Sequence, residues 1–352
     1  MEVINVVKIL FPFTVAFFLG IALTPFLAHY LYKYKLWKKQ ARSEGLGGGG
    51  TPMFHALHEK RETSVPRMGG VVIWLSATIT IFGFSLFAFF FPSPAAEKFS
   101  FLSRNQTWLP LFTLVVASLI GLVDDFLVVY GRGRYTGGGL SLWVRILLVL
   151  FLGALGAWWF YMKLGVDSIA VPFLGEIEIG LLFIPFFMLT MLALFSGGVI
   201  DGIDGLAAGV MTPAFLAYAG IAFFQNQIDL AAFSAVIAGG TLAFLWFNIP
   251  PARFYMSETG MLGLTTTLAV IAFLTKEVLV LPVIAFPLFA ASLSDIIQVL
   301  SKKFRGGKKV FLIAPIHHHF EARGWPPYKV TMRFWIVGGI MSILGMVLAL
   351  IS

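Results

Sequence analysis

The hydrophobic pattern of the chain is a series of long apolar runs separated by short polar segments. Because about 20 apolar residues cross the hydrocarbon core of a bilayer, each run is long enough to form a membrane-spanning helix. The pattern therefore predicts an all-α polytopic membrane protein that forms a single domain over residues 1–352. Ten transmembrane helices are predicted, at approximately 5–32, 69–92, 108–128, 141–163, 180–199, 205–224, 229–248, 260–275, 277–300 and 331–351.

Two segments depart from this regular pattern. The ninth run contains Pro282 and Pro287, which predict a kinked or broken helix because proline lacks the backbone donor of a helix. Residues 165–178 alternate briefly between polar and apolar positions around a proline and a glycine, which predicts a short external hairpin. The rest of the chain is expected to be helix and connecting loop.

The basic residues predict the orientation in the membrane. Lys and Arg concentrate in the loops after the odd-numbered spans, and such loops stay in the cytoplasm. With ten spans, both termini are then expected outside. The predicted cytoplasmic loops are approximately 33–68, 129–140, 200–204, 249–259 and 301–330.

Composition agrees with a membrane protein and excludes several other classes. The 352 residues are 59% hydrophobic and 12% charged, whereas a soluble domain has about 25% charged residues. The net charge of +8 does not indicate a nucleic-acid partner, because the basic residues lie in short loops where orientation and anionic headgroups explain them. There is no Cys, which excludes disulfides, thiol catalysis and thiolate metal sites.

Two adjacent carboxylates, Asp124 and Asp125, close the third apolar run. Neighbouring carboxylates ionise together only when a cation or a donor lies between them. Oxygen ligands with open water positions suit Mg²⁺. The alternative is a helix end that is simply solvated, but an Asp in the membrane costs about 2.5 to 3.5 kcal/mol, which favours a functional site.

A second acidic pair, Asp201 and Asp204, lies in the glycine-rich stretch GGVIDGIDGLAAG at 197–209. On a helix, a spacing of three residues places both carboxylates on one face. Alternatively, Asp204 is the N-cap of the sixth span, and the glycine-rich backbone is open to an anion there. Both interpretations place the pair at the cytoplasmic boundary.

Glu258 and Tyr255 lie just before the eighth span, in PPARFYMSETG. A single Glu near a helix start is commonly a favourable partner of the helix dipole, but here four other acids already point to the same face. Tyr255 is suited to stack on a flat ring such as a base, although an interfacial aromatic is the commoner explanation.

Three consecutive histidines, His317–His319, follow the ninth span. Three neighbouring imidazoles cannot all point the same way, so this run alone does not form a three-histidine metal site. Histidine does suit phosphate binding and proton transfer near pH 7, and a surface run is the alternative. Basic residues that can neutralise phosphates, or equally explain orientation, are Lys60, Arg61, Arg67, Arg132 and Arg134.

Together, carboxylates for Mg²⁺, basic groups for phosphates and an aromatic for a ring describe phosphoryl transfer at a membrane surface. The apolar flanks of these loops would let one substrate be a lipid.

At these motifs the chain resembles the polyprenyl-phosphate N-acetylhexosamine-1-phosphate transferases. The resemblance covers most of the chain, in the family's order. The matching segments are PRMGG at 66–70, GLVDDF at 121–126, DGIDGLA at 201–207, LWFN with PA at 245–252, SLSDIIQV at 292–299 and APIHHHFEARGW at 314–325. The PIHHHFE run resembles the muramoyl-pentapeptide branch more than the N-acetylglucosamine branch.

The resemblance implies ten transmembrane helices in the bacterial inner membrane, usually a homodimer, and dependence on Mg²⁺. It also implies a reaction. Undecaprenyl phosphate would attack the β-phosphate of UDP-MurNAc-pentapeptide at the cytoplasmic face, which forms lipid I and releases UMP.

The same resemblance implies roles for individual residues. Those implied to be catalytic are Asp124, Asp125, Asp204, His317 and His318. Those implied to bind substrate are Lys60, Arg61, Asp201, Gly202, Tyr255 and His319. Those implied to hold the metal are Asp124 and Glu258, the latter in the place of the family's Asp.

The chain departs from the family pattern at several site positions. Phe195 and Gly198 stand where the family has two Asn, and Val128 stands where it usually has a Lys. Glu258 keeps a carboxylate but lengthens the arm by one methylene, so the metal geometry must shift.

Other functions stay open beside this one. They are a sister transferase that uses UDP-GlcNAc or another UDP-sugar, an inactive relative, and a transporter in which the acids and the broken helix form a substrate path. Against the transporter, the acids gather at one face and the chain has no visible inverted repeat.

Overall fold

Long apolar helices dominate the structure, a computed structural model that describes residues 3–39, 63–103, 106–133 and 138–352. The helices in the first half of these ranges are α1 (Val3–Lys33), α2 (Val71–Phe90), α3 (Pro94–Phe99), α4 (Trp108–Val129), α5 (Leu142–Trp158) and α6 (Phe183–Ser196). Those in the second half are α7 (Leu206–Phe224), α8 (Ile228–Asn248), α9 (Ser257–Leu274), α10 (Leu281–Ile284), α11 (Phe286–Phe304), α12 (Ile316–Ala322) and α13 (Pro327–Ile351).

Short tight turns extend two of these helices. A π-helical turn, Trp159–Lys163, continues α5, and 3₁₀ turns at Gly180–Leu182 and Gly197–Ile200 flank α6. In the described ranges, nine helical stretches are long and apolar enough to cross a membrane. They correspond to the first eight predicted spans and to the tenth, which confirms the all-α polytopic class.

The predicted ninth span is broken, as its prolines indicate. Helices α10 and α11 meet at Ala285, and Pro287 lies in the first turn of α11. The second half also carries Asp295, Lys302 and Lys303, so α11 is not among the nine uniformly apolar stretches.

The predicted hairpin is present. Strands β1 (Ser168–Val171) and β2 (Gly175–Glu178) pair antiparallel. A salt bridge of 2.5 Å between Lys276 Nζ and Glu176 Oε1 ties the hairpin to the loop after α9. The hairpin therefore lies at the end of the bundle opposite to the beginning of α9.

The core is built from α7, α8 and α9, whose side chains are mostly buried, with α1, α4 and α13 packed around them. Small residues permit these close approaches, as is usual between membrane helices. At Gly121 in α4, a Cβ atom would lie 2.2 Å from the carbonyl oxygen of Glu258 in α9. This contact holds the last turns of α4 against the first turn of α9, where the predicted acidic residues lie.

Candidate active site

The polar motifs of the sequence converge at one end of the bundle. The PRMGG segment pairs with the segment before α9, because Gly69 N–H donates to Tyr255 O and Tyr255 N–H donates to Pro66 O, both at 2.8 Å. A Cβ atom on Gly69 would lie 2.3 Å from the Phe254 ring. Glycine at this position therefore lets Arg67 reach the end of α4.

Asp125 is completely buried, and both of its oxygens accept hydrogen bonds. Arg67 Nε and Nη2 lie 3.0 Å from Oδ1. The backbone N–H and the hydroxyl of Thr259 donate to Oδ2 at 2.9 Å and 2.6 Å. Four donors therefore satisfy the two oxygens of this buried carboxylate. In this arrangement, Asp125 anchors the PRMGG segment to the beginning of α9.

Asp124 and Glu258, the two predicted metal ligands, share one guanidinium. Arg145 Nη2 lies 2.9 Å from Asp124 Oδ2, and Arg145 Nη1 donates to Glu258 Oε1 at 2.7 Å. Leu140 N–H also donates to Asp124 Oδ1 at 2.6 Å. The two carboxylates, from α4 and α9, thus face a single cation position.

No group of three or more His, Asp or Glu side chains that could hold a metal lies within the described residues. Mg²⁺ commonly takes only one or two protein carboxylates and completes its shell with water and substrate phosphates. The pair of Asp124 and Glu258 fits that donor set. Glu258 stands where the family has Asp, and its longer side chain still reaches the guanidinium that Asp124 contacts.

Asp201 and Asp204 both lie in the loop between the 3₁₀ turn and α7, and not on a common helix. The N-cap of α7 is Gly205, which adopts a left-handed φ of +76°, so the N-cap interpretation of Asp204 is wrong. Each carboxylate instead accepts a hydrogen bond from the backbone at or just before the beginning of α9. Ala252 N–H donates to Asp204 at 3.0 Å, and Ser257 N–H donates to Asp201 at 2.8 Å.

Burial raises the pKa of Asp201 to about 6, and the Ser257 N–H and the Arg67 charge oppose this rise. Ser257 itself has a left-handed φ of +58°, a conformation that L-residues rarely adopt. Such strained positions cluster at functional sites. Here, the conformation accompanies the N–H bond to Asp201.

Distant residues hold the DGIDG loop in place. Asn248, in the LWFN motif, accepts from Gly205 N–H at 2.9 Å and donates to Phe254 O at 2.8 Å. From α13, Thr331 donates to the Asp204 carbonyl at 3.0 Å, and Trp335 Nε1 donates to the Gly205 carbonyl at 2.9 Å. The loop backbone is therefore fixed by both α8 and α13.

The histidine run forms the first turns of α12, and two of its rings face the DGIDG loop. His317 and His318 are buried, and a Cβ atom on Gly202 would lie 2.7 Å from the Nε2 atoms of both. Gly202 therefore provides the close approach between the acidic loop and the imidazoles. The Nδ1 atom of His318 lies 2.6 Å from Glu321 Oε2.

His319 points away from this cluster, because consecutive side chains on a helix are about 100° apart. Its Nδ1 accepts a hydrogen bond from Leu312 N–H at 3.1 Å, and its ring packs against Phe311. Partial burial, with the nearby charge of Arg323, lowers the pKa of His319 and so favours the neutral ring that this bond requires. The structure does not bring His319 together with the other predicted site residues.

The remaining predicted residues are placed only in part. Lys60 and Arg61 lie outside the described residues. Tyr255 is half-buried beside the site, with its backbone in the pairing with PRMGG. Its proposed stacking on a base stays a prediction.

Sequence reasoning missed two charged residues of the site, Arg145 and Glu321. Arg145 lies inside a predicted apolar span, where a charge is costly and therefore points to function. Glu321 lies three residues after His318, a spacing that places both on one helix face. Both residues could therefore have been recognised as site candidates from the sequence.

Comparison with known proteins identifies the class. Residues 107–276 match glycosyl transferase family 4. The phospho-N-acetylmuramoyl-pentapeptide-transferase of Listeria innocua is 32% identical over 337 residues, which is 94% of this chain and 96% of that protein. The protein of the same name from Anoxybacillus flavithermus is 33% identical over 344 residues, 96% of each chain. That from Chloroflexus aggregans is 31% identical over 350 residues, 96% of this chain and 88% of that protein.

The chain therefore belongs to the phospho-N-acetylmuramoyl-pentapeptide-transferase family, which confirms the resemblance drawn from its motifs.

Proposed function

We propose that the protein transfers phospho-MurNAc-pentapeptide from UDP-MurNAc-pentapeptide to undecaprenyl phosphate, which forms lipid I and releases UMP in peptidoglycan biosynthesis. One observation carries this proposal. In a chain a third identical to transferases of that name, carboxylates, guanidinium groups and imidazoles from separate motifs converge at one end of a membrane bundle.

The proposed reaction forms a bond between a lipid phosphate oxygen and the β-phosphorus, and breaks the bond between that phosphorus and UMP. A phosphate monoester loses its second proton near pH 6, so the acceptor is already a nucleophile at pH 7. The protein then has mainly to position two anions and to neutralise their repulsion. Arg67 and Arg145 supply positive charge at the site.

The imidazoles and acids have complementary proposed roles. His318 is oriented by Glu321 through Nδ1, so its Nε2 is directed toward the Gly202 loop and can exchange a proton with a phosphate oxygen. Asp201 and Asp204 shape the loop that receives the nucleotide, and Asp125 fixes the adjoining anchor.

The proposal includes Mg²⁺. Asp124 and Glu258 would hold it, since their oxygens lie within 2.9 Å of the two terminal nitrogens of one guanidinium and so face one cation position. When bound, the ion would neutralise charge on the diphosphate of the donor.

We also propose that this end of the bundle faces the cytoplasm of a bacterial inner membrane, with both termini outside and two copies forming a homodimer. The bias of Lys and Arg toward the loops at this end supports the orientation. Protease accessibility in inverted vesicles tests the orientation, and light scattering of the purified protein tests the dimer.

The function is tested with the full-length purified protein, undecaprenyl phosphate and Mg²⁺, with release of UMP as the measured quantity. UDP-MurNAc-pentapeptide is expected to yield UMP, and UDP-GlcNAc is not. Asp124→Asn, which keeps the shape of the side chain, is the matched inactive control. Release of UMP from UDP-GlcNAc alone would favour the sister transferase, and release from neither donor would overturn the proposal.

A further inference from the structure

Arg145 bridges two carboxylates that come from different helices. Its Nη2 lies 2.9 Å from Asp124 Oδ2, and its Nη1 lies 2.7 Å from Glu258 Oε1. Each carboxylate therefore uses a different terminal nitrogen of the guanidinium, a two-pronged arrangement that Lys does not provide. Arg145 occupies the cation position that the two carboxylates define.

The buried, apolar surroundings of this bridge require a cation between the two carboxylates. The side chains of Asp124 and Arg145 are only 3% and 16% exposed, and Leu148, Phe195 and Leu262 provide apolar walls. Two carboxylates facing each other in such surroundings cannot both stay ionised without a cation between them. In the cation-free protein, Arg145 contacts both carboxylates and holds the two side chains in register.

A divalent cation on the same two oxygens would meet the guanidinium at close range. Like charges repel strongly where the surroundings are apolar, so the ion and Arg145 cannot both occupy the pair. Glu258, whose side chain is 26% exposed, is the more accessible member of the pair. A cavity of about 10 Å³ beside Arg145 has room for about one water.

We propose that Arg145 is a built-in counter-cation of the Asp124–Glu258 pair, and that it gives up this pair when Mg²⁺ binds. Metal binding and the two Arg145 ion pairs then exclude each other. The displaced guanidinium is available to a phosphate of the substrate, which it suits by shape and charge. The identity of the ion as Mg²⁺ rests on the proposed function, and the exchange itself rests on the geometry.

The first test measures the affinity of the purified full-length protein for Mn²⁺, used as a spectroscopic probe for Mg²⁺ without substrates. Arg145→Gln removes the competing charge, so it is expected to bind Mn²⁺ at least tenfold more tightly than the wild type. Arg253→Gln removes the same charge from an exposed site near the same end, where Arg253 lies over the Phe247 ring, and its affinity should not change.

The location of the probe is then checked by adding Glu258→Gln to Arg145→Gln, which should abolish the gain in affinity. Equal Mn²⁺ affinity of the wild type and Arg145→Gln would overturn the proposal. So would a gain that survives the loss of the Glu258 carboxylate.

The second test needs no variant and so does not depend on whether Arg145→Gln folds. Phenylglyoxal modifies accessible arginines, and the extent at each residue is measured by peptide mass spectrometry. Increasing Mg²⁺ alone should speed the modification of Arg145 severalfold and leave Arg253 unchanged. An unchanged rate at Arg145 would overturn the exchange. Both tests omit the substrates, so their outcome is independent of whether UMP is released in the functional assay.

Discussion

His318 and Glu321 form a buried pair in which Nδ1 and Oε2 are 2.6 Å apart. The side chains are 5% and 4% exposed, so water does not compete for the bond. A carboxylate partner on Nδ1 fixes the orientation of the imidazole and its tautomer. The other ring nitrogen is thereby held toward the Gly202 loop.

Glu321→Gln is therefore expected to lower kcat for UMP release and to leave KM for the donor nearly unchanged. A hydrogen bond to a charged group contributes about 1.5 to 3 kcal/mol. Its loss corresponds to roughly a 10- to 100-fold lower rate if it is felt in the transition state. The pH profile of kcat should change as well, because the carboxylate that faces His318 is gone.

His319 provides the contrast to this pair within the same run. It faces Leu312 and Phe311, so His319→Ala should keep most of the activity, whereas His318→Ala should lose it. An equal loss in both variants would show that the run acts through the fold of α12 and not through one oriented ring.

Gly202→Ala should disrupt the contact between the acidic loop and the histidines. The added Cβ would lie 2.7 Å from both His317 Nε2 and His318 Nε2, and both rings are buried. Overpacking of this kind costs about 1 to 3 kcal/mol, so thermal unfolding in detergent should occur at a lower temperature and UMP release should fall.

The matched control for Gly202→Ala is Gly198→Ala, in the preceding 3₁₀ turn. Its Cβ would meet its nearest neighbour, Met261 Cβ, at 3.9 Å, an ordinary contact. The control should unfold at an unchanged or slightly higher temperature. If both variants lose stability equally, the proximity of Gly202 to the imidazoles is not the cause.

The spans and the motifs of the site could be predicted from local sequence. Twenty apolar residues determine a span by themselves, and the prolines of the ninth run marked its break at Ala285. Because the spans alternate in direction, motifs that follow odd-numbered spans all lie at the same face. That is why Asp124, Glu258 and the histidines were expected together.

Partnerships across the chain could not be predicted in the same way. Glu258 and Arg145 are 113 residues apart, and nothing local shows that one guanidinium lies between both acids. An N-cap was one of the two interpretations of Asp204, but α13 holds the backbone of its loop from 127 residues away, through Thr331. Such contacts depend on which helices are neighbours, and hydrophobic periodicity does not encode this.

Asp201 predicts a dependence of stability on pH. Burial raises its pKa to about 6 from an ordinary value near 3.8, so the folded protein favours the protonated acid. The contribution of Asp201 is therefore most favourable below about pH 4 and is lost as the pH rises through 6. This rise in the pKa of Asp201 changes the free energy of unfolding by at most about 3 kcal/mol.

Asp201→Asn, which keeps an acceptor for Ser257 N–H, removes this cost of ionisation. Its thermal unfolding temperature should exceed that of the wild type at pH 8, and the difference should vanish toward pH 4. A difference that is the same at both pH values would show that ionisation of Asp201 is not its origin.

The Arg67–Asp125 pair is expected to dominate the stability of the site. Asp125 has no exposed side-chain surface, and Arg67 is 18% exposed. Removing one partner of such a pair leaves a buried charge uncompensated, which typically costs about 3 to 5 kcal/mol. Arg67→Met should therefore lower the free energy of unfolding in detergent by about this amount. Asp125→Asn on that background should restore part of it, because the uncompensated charge is then gone.

The exposed pair of Lys276 and Glu176 is the natural comparison for Arg67 and Asp125. Its side chains are 49% and 51% exposed, so Lys276→Met should change the free energy of unfolding by about 1 kcal/mol or less. If the losses from Arg67→Met and Asp125→Asn simply add in the double variant, the two side chains are not coupled. The anchor between the PRMGG segment and α9 would then have to rest on Thr259 and the backbone pairing of Gly69.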